Sequence, residues 1–137
     1  MLDGGDETVL GRARVTAVSA VAGARGGRDP IAVALAGIVA TAFGIRAEAV
    51  WSDRRCSAEV SFARQVAMYL AHTRLGLTLA RTGRVFGRDR TTARHACRRV
   101  EDRREDPRLD AMLECLERAL DVSLDLSLFP RREQVHG

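Results

Sequence analysis

Apolar residues recur along most of this chain at helical spacing rather than in strand alternation. From Ala58 to Leu75 they fall at Val60, Ala63, Ala67, Leu70 and Ala71, with Phe62, Val66 and Tyr69 forming a second shoulder. Upstream, IAVALAGIVATAFG covers nearly every helical face after Asp29, an N-cap acid, and Pro30, a residue suited to the first helical position. Gly44 stops that helix. A helix so poor in charge is buried or lies against a partner, and a core role is the simpler reading. Arg46 to Trp51 predicts one or two further turns with Val50 and Trp51 as apolar anchors, before an exposed polar loop, Ser52-Asp53-Arg54-Arg55-Cys56-Ser57.

The pattern tightens between Leu77 and Val100. Gly76 ends the preceding helix, Thr78 is placed to cap a short one through about Phe86, and Gly87 permits a sharp turn. In the next helix, which opens at Asp89, Ala93, Ala96, Cys97 and Val100 recur at i, i+3, i+4 and i+7 and predict the buried stripe. Arg90, Thr91, Arg94, His95 and Arg98 are left on other faces. After the charged run Glu101 to Asp106, Pro107 opens a last amphipathic helix with Leu109, Met112, Leu113, Leu116 and Leu120 on one side. These elements predict an all-α fold: a small helical domain built around a helix-turn-helix.

Three segments follow. Residues 1–28, rich in Gly, Ala and Arg and without an aromatic, predict a flexible basic arm, and residues 29–121 predict the domain. The tail, 122–137, is left unassigned, since Leu124, Leu126, Leu128 and Phe129 suit either a helical extension or packing back on the core.

Charge sharpens the picture through its distribution. Trp51 to Glu105 holds 13 Arg against 6 acids, a balance of +7, whereas Asp106 to Leu128 holds 2 Arg against 6 acids, a balance of −4. Positive potential is concentrated around the turn, as expected of a surface that displaces counterions from phosphates. Every basic residue among the 22 is arginine, a bias that GC-rich coding also produces and that decides little. The three cysteines, Cys56, Cys97 and Cys115, form no CxxC pair, and an odd number argues for a reducing cytoplasm rather than a disulfide framework. No run of about 18 apolar residues and no apolar leader suggests membrane insertion or export. The expectation is a soluble cytoplasmic protein, associated with the nucleoid.

The chemistry-bearing residues cluster at the turn: Arg88-Asp89-Arg90-Thr91-Thr92 joins a capping acid to two guanidiniums and two hydroxyls. These types reach base edges and phosphates from a helix N-terminus. A solvated helix face is the plain alternative for such a run. No catalytic residue emerges, because no nucleophile or second carboxylate is fixed near Asp89. His72, His95 and Cys97 lack metal-ligand spacing; Cys97 reads as core and His95 as a packed or hydrogen-bonded histidine. No cofactor is implied.

Two motifs bear a specific resemblance. Ala63-Arg64-Gln65-Val66-Ala67-Met68-Tyr69-Leu70 and Phe86-Gly87-Arg88-Asp89-Arg90-Thr91-Thr92-Ala93-Arg94-His95-Ala96-Cys97 are similar to signatures of domain IV, the C-terminal DNA-binding domain of the bacterial replication initiator DnaA. The resemblance runs from about Asp29 to Asp121 and implies an all-helical, Trp-repressor-like fold whose second helix-turn-helix helix enters the major groove. By motif it implies that Asp89, Arg90 and Thr91 read bases. Arg64, Gln65, Thr78, Leu79, Arg88, Thr92 and Arg94 are implied backbone contacts, and Arg54 and Arg55 of the basic loop minor-groove contacts. This chain departs from the pattern at Arg90, where the family has histidine, at a turn one residue shorter, and at Thr82, where the family has an apolar residue. It shows no P-loop ending in Lys-Ser or Lys-Thr, so no bound nucleotide and no ATP-driven origin opening are expected. Two functions follow: a sequence-specific binder of double-stranded DNA that regulates transcription or modulates replication initiation, and an interaction module. In the second, the first and last helices dock a protein partner or a second copy, with DNA secondary.

Overall fold

The computed structural model describes residues 28–51 and 57–126. They form α1 (Pro30–Phe43), α2 (Ala47–Val50), α3 (Ala58–Thr73), α4 (Leu79–Val85), α5 (Arg90–Arg103) and α6 (Pro107–Asp125). No strand occurs among the described residues, so the expected all-α class is observed.

Local chemistry sets most boundaries. The Ile31 amide donates to Asp29 Oδ1 at 2.8 Å, and Pro30 holds the first helical position of α1. The Val60 amide donates to Ser57 Oγ at 3.1 Å, and the Arg81 amide to Thr78 Oγ1 at 3.0 Å. Each acceptor satisfies an amide that the helix start leaves without an intrahelical partner. At the other end of α1, Gly44 takes φ 69°, while Ile45 N donates to Ala40 O and Gly44 N to Thr41 O. That pair of bonds is the Schellman ending, which needs a left-handed residue.

The core is built around α3, which packs against both α1 and α5, while α4 lies against α5. Nine of the 14 residues of α1 are buried, so its uncharged faces are consumed within the chain. Leu35 and Val39 of α1 share one cluster with Val66, Met68 and Leu70 of α3, Ala93 and Val100 of α5, and Leu113 and Leu120 of α6. Val50, the anchor of the short α2, is buried in a smaller cluster with Ala36 and Ala40.

Two features add to the sequence reading. The last helix runs through Asp125, beyond the boundary placed at Asp121, with Ser123 buried and Leu124 packed on the core. The first residues of the unassigned tail therefore belong to α6; residues 127–137 and 1–27 lie outside the described residues. The charged run Glu101 to Asp106 contains a structural node at Arg104. The Arg104 guanidinium donates from Nε to Asp110, from Nη1 to Tyr69 Oη at 3.0 Å, and from Nη1 to Glu117 Oε2 at 2.8 Å. Arg74 approaches Glu117 within 3.6 Å. The Glu117 bond, helped by those to Asp110 and Tyr69, holds the guanidinium still more firmly in its charged form.

Candidate nucleic-acid interface

The turn between α4 and α5 is assembled from three residue-level constraints. Gly87 takes φ 71°, Arg88 N donates to Gly83 O at 2.7 Å and Gly87 N to Arg84 O at 3.0 Å, a second Schellman ending. Gly83 lets the incoming backbone close in: a Cβ there would stand 2.4 Å from Asp89 O and 2.9 Å from Arg88 O. Asp89 then caps α5, its Oδ1 accepting the Thr92 amide at 2.8 Å. The sequence reading had both the cap and the turn glycine but missed Gly83. A glycine inside a short helix, four residues before another glycine, was the available signal.

Thr92 donates to Asp89 through its amide and its side chain and holds the carboxyl below the usual carboxylate range. The cap is therefore ionised at neutral pH, where it also favours the positive end of the α5 dipole. Arg90, Thr91, Thr92, Arg94, His95 and Arg98 are all exposed, while Ala93, Ala96, Cys97 and Val100 form the buried stripe, as the spacing predicts. His95 is a correction: it is solvent-exposed on the outer face of α5, not packed, because its position falls outside the stripe. Cys97 is core, and burial pushes its thiol up to about 11, with Glu101 adding to the effect. His72 is spent locally, its Nδ1–H donating to Leu77 O at 2.7 Å.

Arg90, Arg94 and Arg98 stand at i, i+4 and i+8, one above another on successive turns of α5, and among the described residues none of them forms an ion pair. Like charges at this spacing each cost a few tenths of a kcal/mol, roughly 0.2–0.5, in an isolated helix.

The other expected contact residues come from α3, the start of α4 and the turn. Arg64 and Gln65 are half-buried, and Arg64 Nε donates to Val50 O at 2.8 Å, tying α3 to the end of α2. Trp51 stacks on Phe86 of the turn, ring centroids 5.6 Å apart and planes 20° apart. The point from which the basic loop departs is thus pinned to both α3 and the helix-turn-helix. Arg54 and Arg55 themselves lie outside the described residues. Thr78 is exposed with its hydroxyl engaged as a cap, Leu79 packs against the core, and Arg88 is half-buried. Leu79 is therefore left to meet a ligand through its backbone. Thr82 is fully buried, and its hydroxyl has no hydrogen-bond partner among the described residues. No helix among the described residues is long and apolar enough to cross a membrane, and no three of their His, Cys, Asp and Glu side chains converge as a metal site.

Comparison with known proteins places this geometry. Residues 34–100 match the family described as the bacterial DnaA protein helix-turn-helix. The chromosomal replication initiator protein DnaA of Bifidobacterium animalis subsp. lactis is 44% identical over 45 residues, 32% of this chain and 8% of that protein. The protein of the same name from Tropheryma whipplei is likewise 44% identical over 45 residues, 33% of this chain and 9% of its own length. The matched segment thus spans under a tenth of these relatives. Such a helix-turn-helix is a DNA-binding module rather than a catalytic one. Over residues 34–100, this chain is thus similar to the helix-turn-helix domain of the bacterial DnaA C-terminal type.

Proposed function

We propose that this protein binds double-stranded DNA sequence-specifically, with α5 in the major groove, and thereby regulates transcription or modulates replication initiation at initiator-like sites. Asp89, Arg90 and Thr91 read base edges from the first turn of α5. Arg64, Gln65, Thr78, Leu79, Arg88, Thr92 and Arg94 meet the sugar-phosphate backbone, and Arg54 and Arg55 reach the minor groove. The observation that carries this reading is the row Arg90, Arg94 and Arg98, exposed and without an ion pair among the described residues. A self-repelling row with no internal partner is matched by an external polyanion. Arg90 in place of the family's histidine supplies a fork for guanine O6 and N7, so the preferred site differs from the usual DnaA box.

The alternative, a protein-docking module, would use α1 and α6. It is weakened by α1, whose apolar faces are already buried inside the fold. Salt dependence separates the two: a binder with several phosphate contacts loses on the order of a thousandfold in duplex affinity between roughly 50 and 200 mM salt. Purified protein that ignores duplex at the lower salt refutes the DNA reading. Selection from a random duplex pool then identifies the site, an initiator-like box pointing to replication and an unrelated motif to gene control.

A further inference from the structure

A cavity of about 490 Å³ opens between the entry to α1, the end of α2 and the helix-turn-helix turn. That volume lies in the range of roughly 300–1,000 Å³ usual for small-molecule sites. Among the described residues, Arg28, Arg81, Arg84 and Arg88 line it, against one carboxylate, Asp29. That carboxylate is already committed: Oδ1 accepts the Ile31 amide at 2.8 Å and Oδ2 lies 3.6 Å from Arg81 Nη2. Arg81 keeps a buried Nε–H with no hydrogen-bond partner. Arg28 is held over the Trp51 ring, 4.8 Å from its centroid, by a cation–π contact that leaves its N–H groups available. Arg84 is exposed and forms no ion pair among the described residues.

With Arg88 engaged elsewhere, three guanidiniums, Arg28, Arg81 and Arg84, still face one concavity and repel one another unless something of opposite sign enters. After Asp29 two of those charges remain among the described residues, more than a single carboxylate ligand offsets. A phosphate group carries more charge and enough acceptor oxygens to take several arginine forks at once. We propose that this cavity is a phosphate-binding site beside the reading helix, taking the phosphate of a DNA strand or of a small phosphorylated molecule. It goes beyond the DNA reading above, since a free phosphate compound could occupy it whether or not α5 enters a groove.

Trp51 is the chain's only tryptophan and forms one wall, so its emission reports occupancy. The full chain is titrated with inorganic phosphate at constant ionic strength, balanced by chloride. A saturable emission change is expected, with its midpoint raised at least tenfold in Arg84→Gln and in Arg28→Gln. Far-ultraviolet circular dichroism checks that both variants stay folded. Emission that responds to chloride and phosphate alike, or a phosphate midpoint unchanged in both folded variants, overturns the site; the parental titration alone decides the first outcome. A parallel arm separates the sources. If the phosphate is DNA's, inorganic phosphate competes with duplex and Arg84→Gln lowers the slope of log affinity against log salt by about one. If it belongs to a free molecule, phosphate saturates the emission without displacing duplex. Protein that ignores duplex yet saturates with phosphate sinks the DNA reading and leaves the cavity proposal standing.

Discussion

At the scale of single residues, the proposed reading role of Asp89 competes with its structural role for one side chain. Its carboxylate already accepts from the Thr92 amide, at Oδ1, and from the Thr92 side chain, so fewer acceptor sites remain for an exposed base amine. Arg90 and Thr91 carry no such structural duty; both are exposed at the head of α5. Arg90→Ala and Thr91→Ala are accordingly expected to fold normally and to reduce discrimination between target and random duplex, each by roughly 1–3 kcal/mol. Competition binding with the two duplexes checks this, and unaltered discrimination in both variants would remove them from the reading positions. The Asp89 cap has a pH signature of known sign. Its folded value is depressed, so its contribution is present above the ordinary carboxylate range and is lost as pH falls through the folded value.

Among the elements, the α4–turn–α5 unit depends on two residues of α4 that chemistry treats oppositely. Gly83 is where the turn backbone passes too close for any side chain: a Cβ would meet Asp89 O at 2.4 Å. Gly83→Ala must push α4 and the start of α5 apart, with an expected loss of about 1–3 kcal/mol or more, read from the urea midpoint. Duplex affinity should fall with it, because the proposed reading residues begin at the displaced position. Beside it, Thr82 buries a hydroxyl that bonds to nothing among the described residues. Thr82→Val keeps the shape and removes the unsatisfied group, so a gain of about 1 kcal/mol is expected in the same denaturation experiment. A loss instead would mean that the hydroxyl has a partner in solution.

For the molecule as a whole, α6 is joined to the helix-turn-helix through apolar burial and one polar node. Arg104, just past α5, is bonded to Asp110 and Glu117 of α6 and to Tyr69 of α3, so it ties three helices at one guanidinium. Among the described residues, replacing it leaves the largely buried Glu117 with only Arg74, 3.6 Å away. Arg104→Gln is expected to lower stability by roughly 2–3 kcal/mol, the scale of hydrogen bonds to charged groups. Thermal melting in parallel with duplex binding tests whether the loss stays global. Equal binding per folded molecule is expected, since Arg104 lies at the far end of α5 from its reading turn.

What the sequence determined by itself was the local order: the helices, their caps at Asp29, Thr78 and Asp89, the stops at Gly44 and Gly87, and the split of α5 into a buried stripe and a cationic face. These follow from spacing and from short-range backbone chemistry, which act between residues a few positions apart. Arg90 to Arg98 could be named as an outward face for the same reason. Only the tertiary structure decided what depends on distant neighbours. It made Gly83 obligatory through the approach of Asp89, drew Arg104 out of a charged run into a node with Tyr69 and Glu117, and left Thr82 buried without a partner among the described residues. It also brought Arg28, Trp51 and Arg84 to one cavity. Such proximities arise from how α1, α2 and the turn pack around α3, and no periodicity along the chain encodes them.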